Sequence, residues 1–169
     1  MARRQLRHHI KDAYAALRAE AEWKRLIAHG NGDQVAEAAF NLGFQLASRH
    51  DISGARAAYS TAIKSGHPEF APRAARNLGL LLEEARDLDS ARAAYEVAIE
   101  SGHHDESPAA GVNLAIMLKG VGDVARARAA CLTSCVLPRA ACLRLIVPTS
   151  LTQPVGHAPV PIQFPPGWG

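Results

Sequence analysis

The chain has 169 residues, which suits one domain or a domain with a tail, and its 48% apolar content is enough for a packed core. Only 5% of residues are aromatic while thirty-three are alanine, a composition for close-packed helices rather than a β-sandwich, and no run approaches the roughly 20 apolar residues that span a bilayer. The net charge of +3 hides a split of +4 over residues 1–32, −5 over 33–123 and +4 over 124–169, so the centre lacks the basic stripe expected of a nucleic-acid binder.

The N-terminus is basic, with Arg3, Arg4, Arg7 and Lys11, but no apolar run follows it, so it does not read as a secretory signal and the cytoplasm is the default location. Residues 4–28 are expected to form a helix. Residues 41–63 (NLGFQLASRHDISGARAAYSTAI) then recur as 77–99 (NLGLLLEEARDLDSARAAYEVAI) and, more weakly, as 113–130 (NLAIMLKGVGDVARARAA). The spacing is 36, and 41–76 matches 77–112 at 17 positions without a gap. Each unit reads as two helices. Leu78, Leu81 and Leu82 share a face of the first, and Ala91, Tyr95, Ala98 and Ile99 form a stripe on the second. Asp51, Asp87 and Asp123 precede the second helices, where a carboxylate caps free N–H groups. Gly66 and Gly102 follow them, where positive φ is wanted, and Pro72 and Pro108 open the next first helices.

This pattern resembles the tetratricopeptide repeat, a helix–turn–helix unit of about 34 residues. The Leu-Gly pair of that family is matched by Leu42-Gly43 and Leu78-Gly79, with Leu114-Ala115 as a weaker copy. The following large residue is Leu46, Leu82 and Leu118, and the small residue opening the second helix is Ala55, Ala91 and Ala127. The aromatic is Tyr59 and Tyr95, replaced by Cys131, and the next alanine is Ala62 and Ala98, replaced by Ser134. The departures are the early Trp position, held by Ala39, Ala75 and Gly111, and the longer period, which makes the Sel1-like repeat a near alternative. The resemblance implies an all-α fold, an α-solenoid of stacked antiparallel helix pairs in a right-handed superhelix. Repeats are expected at 34–66, 70–102 and 107–136. Shifting back by one period places Ala19, Trp23 and Leu26 at the positions of Ala55, Tyr59 and Ala62, so residues 1–32 are expected to form a capping helix or degenerate half repeat.

Similarity stops at Ala130. The last 39 residues hold all three cysteines and seven of the ten prolines. The final second helix is expected to start at Val124 and to end before Pro138, with 138–169 a Pro-rich tail lacking regular structure. Two origins stay open: a natural extension, or departure from the repeat's reading frame near residue 130. Either leaves the last repeat without a cap, a face for self-association.

No catalytic signature is present: neither a phosphate-binding Gly-rich loop nor a nucleophile elbow. Cys131, Cys135 and Cys142 lack the tight pairing of metal ligands and are expected to be reduced thiols, and His103-His104-Asp105-Glu106 reads as a linker because His67 recurs at His103. No metal and no cofactor are expected. The informative residues are Asn41, Asn77 and Asn113, which share one place in three first helices. The resemblance implies that first helices line a concave face, where an amide can pair with a peptide backbone of any sequence. Around them lie Glu37, Phe40 and Phe44, then Arg73, Arg76 and Leu80, then Ile116 and Lys119. Arg73, Arg76 and Lys119 would favour an acidic group, and Phe40 with Phe44 an apolar pocket. The expected function is a non-catalytic adaptor or scaffold that binds a protein or peptide partner as an extended segment in this groove. The alternative is self-association, or a fragment of a larger regulatory protein.

Overall fold

A computed structural model describes the backbone of residues 2–133 and the side chains of residues 14–132. Within that range the chain is all-helical. The helices are α1 (Ala2–His29), α2 (Gly32–Ser48), α3 (Ile52–Lys64), α4 (Phe70–Glu84), α5 (Leu88–Glu100), α6 (Glu106–Gly120) and α7 (Val124–Thr133). The second helices begin at Ile52, Leu88 and Val124, at the 36-residue period of the sequence. The expected tail, residues 138–169, lies outside the described residues. No helix among those described is long and apolar enough to cross a membrane.

The caps follow from local chemistry. Asp51 Oδ1 accepts from the Gly54 N–H at 2.9 Å, Asp87 Oδ1 from Ser90 at 3.3 Å and Asp123 Oδ1 from Arg126 at 3.0 Å, each satisfying an orphan donor of a second helix. Gly66 and Gly102 both take φ +66°, ending those helices in the left-handed region. The same conformation closes the first helices at His50 (φ 60°), Arg86 (φ 64°) and Gly122 (φ 84°), where only the third copy has the residue that adopts it freely. α2 starts with a reciprocal capping box, Gln34 N–H to Asn31 Oδ1 at 3.0 Å and Asn31 N–H to Gln34 Oε1 at 3.2 Å.

The Ser-Gly-His linkers are more than spacers. Ser65 and Ser101 hydroxyls bond back to the Ala62 and Ala98 carbonyls at 2.6 and 2.7 Å. His67 Nδ1 then accepts from the N–H groups of Glu69 (3.1 Å) and Phe70 (3.3 Å), and His103 Nδ1 from Asp105 (3.3 Å) and Glu106 (3.2 Å). The residues at the N-cap positions themselves, Glu69 and Asp105, make no side-chain cap. Two histidines therefore cap α4 and α6, and the proton on each ring belongs on Nε2. That nitrogen faces the preceding unit: His103 Nε2 lies 3.1 Å from Glu69 Oε2, and His67 Nε2 lies 3.8 Å from Asp33 Oδ1.

Each helix packs on the next, and the first helices α2, α4 and α6 also touch one another in series. Small side chains permit this. Ala55, Ala62, Ala91, Ala98 and Ala127 are fully buried, and the largest fully buried side chains are Tyr59 and Tyr95. The glycines of the Leu-Gly pairs make room for these rings: a Cβ at Gly43 would lie 2.6 Å from Tyr59 Cδ1, and one at Gly79 2.5 Å from Tyr95 Cδ1. In the third unit Ala115 replaces the glycine and Cys131 the tyrosine, so a larger residue on one helix meets a smaller one on the other. α1 joins the first unit through Gln45 Nε2, which donates to the Ala16 carbonyl at 3.3 Å, and Arg49, which pairs with Glu20 at 2.8 Å.

Candidate functional site

Helical spacing gives α2, α4 and α6 an outward row each, on the side opposite the buried leucines. The rows are Glu37-Asn41-Phe44-Ser48, Arg73-Asn77-Leu80-Glu84 and Ala109-Asn113-Ile116-Gly120. Because these three helices touch in series, the rows lie side by side. All three asparagines are half-buried. One turn further on, Phe44 is 62% exposed, Leu80 39% and Ile116 52%, three large apolar side chains at one phase of the repeat. The sequence reading had each of them as a neighbour of an asparagine but did not read them as a column. Scanning the repeat for apolar residues facing away from its leucine stripe would have found it.

The asparagines do not act alike. Burial raises the pKa of the Tyr59 phenol, and the Asn77 amide offsets part of the rise. Tyr95 is satisfied differently: its hydroxyl donates to Glu83 Oε2 at 2.9 Å, and its pKa is pushed up by burial first and by Glu83 next. The residue one repeat before Glu83 is Ala47, which has no carboxylate to offer Tyr59. Asn77 is thus felt by a buried tyrosine, while Asn41 and Asn113 keep the outward position.

The expected basic pocket is already filled from within. Arg76 Nε donates to Glu106 Oε2, Arg73 Nε lies 3.7 Å from Glu106 Oε1, and Arg73 also pairs with Glu69 at 3.6 Å. The Glu106 side chain is only 12% exposed. Arg73 and Arg76 are therefore not open cations awaiting an acidic ligand, because the first turn of α6 brings a carboxylate beside both. Phe40 is not an open pocket either. Its ring packs 6.2 Å from Tyr59 and 5.9 Å from Phe70 between centroids, and the Arg73 guanidinium covers it at 5.0 Å. Lys119 sits exposed in the last turn of α6, three residues after Ile116. What remains open is the column Phe44, Leu80 and Ile116, with Asn41 and Asn113 beside it.

A second concavity of about 400 Å³ lies between α1 and the α2–α3 pair. Ile27, Leu42, Leu46 and Ala58 floor it, and Glu20, Lys24, Asp51 and Thr61 rim it, with Glu20 and Lys24 paired at 2.7 Å. Its charged groups are engaged with one another or in capping. Among the described residues no group of three or more His, Cys, Asp or Glu is arranged to hold a metal ion. Cys131 is disulfide-bonded, which corrects the expectation of reduced thiols there; Cys135 and Cys142, the other cysteines, lie outside the described residues. Whether two thiols bond depends on how close their sulfurs come.

No protein-family model matches the chain, and no curated protein does.

Proposed function

We propose that the chain is a non-catalytic interaction module of the tetratricopeptide-like class, a solenoid of antiparallel helix pairs whose adjacent first helices take an extended peptide of a partner protein. The observation that carries this reading is the exposed apolar column Phe44, Leu80 and Ile116 on three adjacent helices. Isolated apolar residues on a surface need no explanation, but a contiguous row does. Asn41 and Asn113 flank the row with amides that can pair with peptide groups irrespective of side chain. Selection would come mainly from apolar side chains of the ligand, since Arg73 and Arg76 are occupied by Glu106.

Binding of the full-length chain to a peptide array tests this. The comparison is with Phe44→Ser, Leu80→Ser, Ile116→Ser and, separately, with Asn41→Ala, Asn113→Ala. Asn77 is left in place because its amide also acts on the buried Tyr59. The first variant should lose binding and the second weaken it, both with an unchanged helical CD spectrum; binding unaltered by either would refute the groove. Self-association is a second reading, favoured by exposed Val121 (55%) and Val124 (39%) at the last helix pair. A mass by light scattering that rises with concentration, and falls back on Val121→Ser, Val124→Ser, would support it.

A further inference from the structure

The groove face is acidic as well as apolar, and the two properties together specify its occupant. We infer that the partner segment is basic: an extended peptide that carries arginine among its apolar residues, with one guanidinium placed at Glu84 and a second cationic side chain at Glu37. This rests on the groove reading above and adds charge to a selection that is otherwise apolar.

The cations of the face are already engaged. Helices α2, α4 and α6 carry Arg73, Arg76 and Lys119 as their Lys and Arg residues. Arg73 and Arg76 are both closed by Glu106, and Arg73 pairs with Glu69 as well. Lys119 makes an interaction of its own, and it stands at the repeat position of Glu83, outside the rows that carry the column. The acids are in the opposite condition. Glu37 and Glu84 are exposed in the outward rows, and neither has an ion-pair partner among the described residues. At the phase of Glu84 the neighbouring helices hold Ser48 and Gly120, so neither neighbour offsets its charge. Uncompensated carboxylates beside an apolar surface attract basic segments and repel acidic ones.

The spacing suits arginine. Glu84 follows Leu80 by one turn on the same face, about 6 Å along α4. A ligand arginine lying on Leu80 covers the leucine with its methylene stem and sets its guanidinium at the Glu84 carboxylate. Glu37 flanks the column on its other side, about 10 Å before Phe44 along α2, and takes a basic side chain that reaches past Asn41. The fold uses the same combination within its own body: the Arg73 guanidinium covers the Phe40 ring at 5.0 Å while pairing with Glu69 and Glu106. Arginine is favoured over lysine at such a place, because its planar group holds a carboxylate through two parallel hydrogen bonds while the stem rests on apolar surface.

Fluorescence anisotropy of the full-length chain with short labelled peptides tests the inference. The peptides are about 8 residues long, enough at about 3.3 Å per residue to cross three helices packed about 8–10 Å apart. All share one set of apolar residues, and their polar positions are Arg, Lys, Gln or Glu. Affinity should fall in that order, and the Arg series should weaken as salt rises from about 0.05 to 0.5 M while the Gln series does not. Glu37→Gln with Glu84→Gln should weaken the Arg series about tenfold and flatten its salt dependence, leaving the Gln series unchanged. Glu96→Gln with Glu100→Gln, two exposed positions on α5, removes the same charge away from the face and should do neither. A Glu series that binds as tightly as the Arg series would overturn the basic assignment. An equal loss from both pairs of substitutions would overturn the placement at Glu37 and Glu84, since net charge alone would then account for it. Equal binding of the Gln and Arg series would refute the charge while leaving the groove intact. If no series binds and the array also finds no ligand, the groove reading itself fails.

Discussion

Replacing Gly79 by alanine should destabilise the protein only while Tyr95 is present. The glycine lies inside α4, where alanine is ordinarily favoured by about 0.8–1.0 kcal/mol. Here the added carbon would sit 2.5 Å from Tyr95 Cδ1 and Cε1, against a normal carbon–carbon contact of about 3.5–4.0 Å. The ring is fully buried and cannot swing into solvent, so the helices must part by about 1 Å, an overpacking cost of about 1–3 kcal/mol. The net expectation is a loss of about 1 kcal/mol for Gly79→Ala. Tyr95→Cys alone should cost about 3–5 kcal/mol, in the range of large-to-small substitutions in cores. In that background, however, Gly79→Ala should stabilise by about 1 kcal/mol, because the obstruction is gone and the propensity gain remains. The combination reproduces the pairing of Ala115 with Cys131 in the third unit. Urea unfolding followed by CD at 222 nm, with m-values compared across the four proteins, gives the coupling, expected at about 2 kcal/mol. An equal effect of Gly79→Ala in the two backgrounds would refute the account of why the repeat needs glycine there.

Four further outcomes follow from the caps, the left-handed residues and the ion pairs. Glu69 has its pKa lowered from 4.5 chiefly by the hydrogen bond from His103, Asp51 from 3.8 chiefly by the Gly54 N–H, and Asp87 from 3.8 chiefly by the Ser90 hydroxyl. All three are depressed in the folded state, so their contribution is complete above those ordinary values and is lost as pH falls through the lower folded ones; stability should decline through this acid range, and His103→Ala should flatten the part due to Glu69. His103→Ala should also cost about 0.5–2 kcal/mol near neutrality through the lost cap of α6, read as a lower urea midpoint. Arg86→Gly should stabilise by about 0.5–1 kcal/mol, since a non-glycine residue there stands at φ 64°, and a fall in thermal midpoint would contradict this. Glu106→Gln should lower stability by about 1–2 kcal/mol and release Arg73 and Arg76, so that acidic peptides bind more tightly and with a steeper salt dependence; unchanged affinity would show that the arginines stay closed for another reason.

Much of the helical organisation was legible because it depends on local periodicity. The 36-residue spacing located the second helices, and the aspartates and glycines at their ends bond and bend as their positions require. The missing parts depend on contacts between units. His67 and His103 looked like linker residues because a ring that caps a helix two residues ahead leaves no spacing signature of the Ser/Thr/Asp kind. Glu106 reads from the sequence as part of a linker, since nothing local to residues 104–108 shows that α4 will place two arginines beside it. The left-handed residues His50 and Arg86 were hidden by their identity, and only the third copy, Gly122, advertises the conformation.

The asparagine column shows why identity across a repeat is weak evidence of a common role. Asn41, Asn77 and Asn113 stand at one phase, yet each sees the residues of the unit before it. Tyr59 has alanine at residue 47, the repeat position where Tyr95 finds its carboxylate, and its raised pKa is offset in part by the Asn77 amide. Tyr95 has Glu83, so its hydroxyl makes no demand on Asn113. The three rungs read from the sequence therefore differ in their surroundings, since only Asn77 is felt by a buried tyrosine of the preceding unit. The column Phe44, Leu80 and Ile116 behaves oppositely: its residues differ in identity but share exposure and chemistry. Selection for packing constrains a side chain to one shape, as at Tyr59 and Tyr95, whereas contact with an extended apolar ligand asks only for an apolar surface at the right interval. A column that varies among Phe, Leu and Ile while staying exposed fits the second constraint, and this is why we propose the interaction face there rather than on the invariant asparagines.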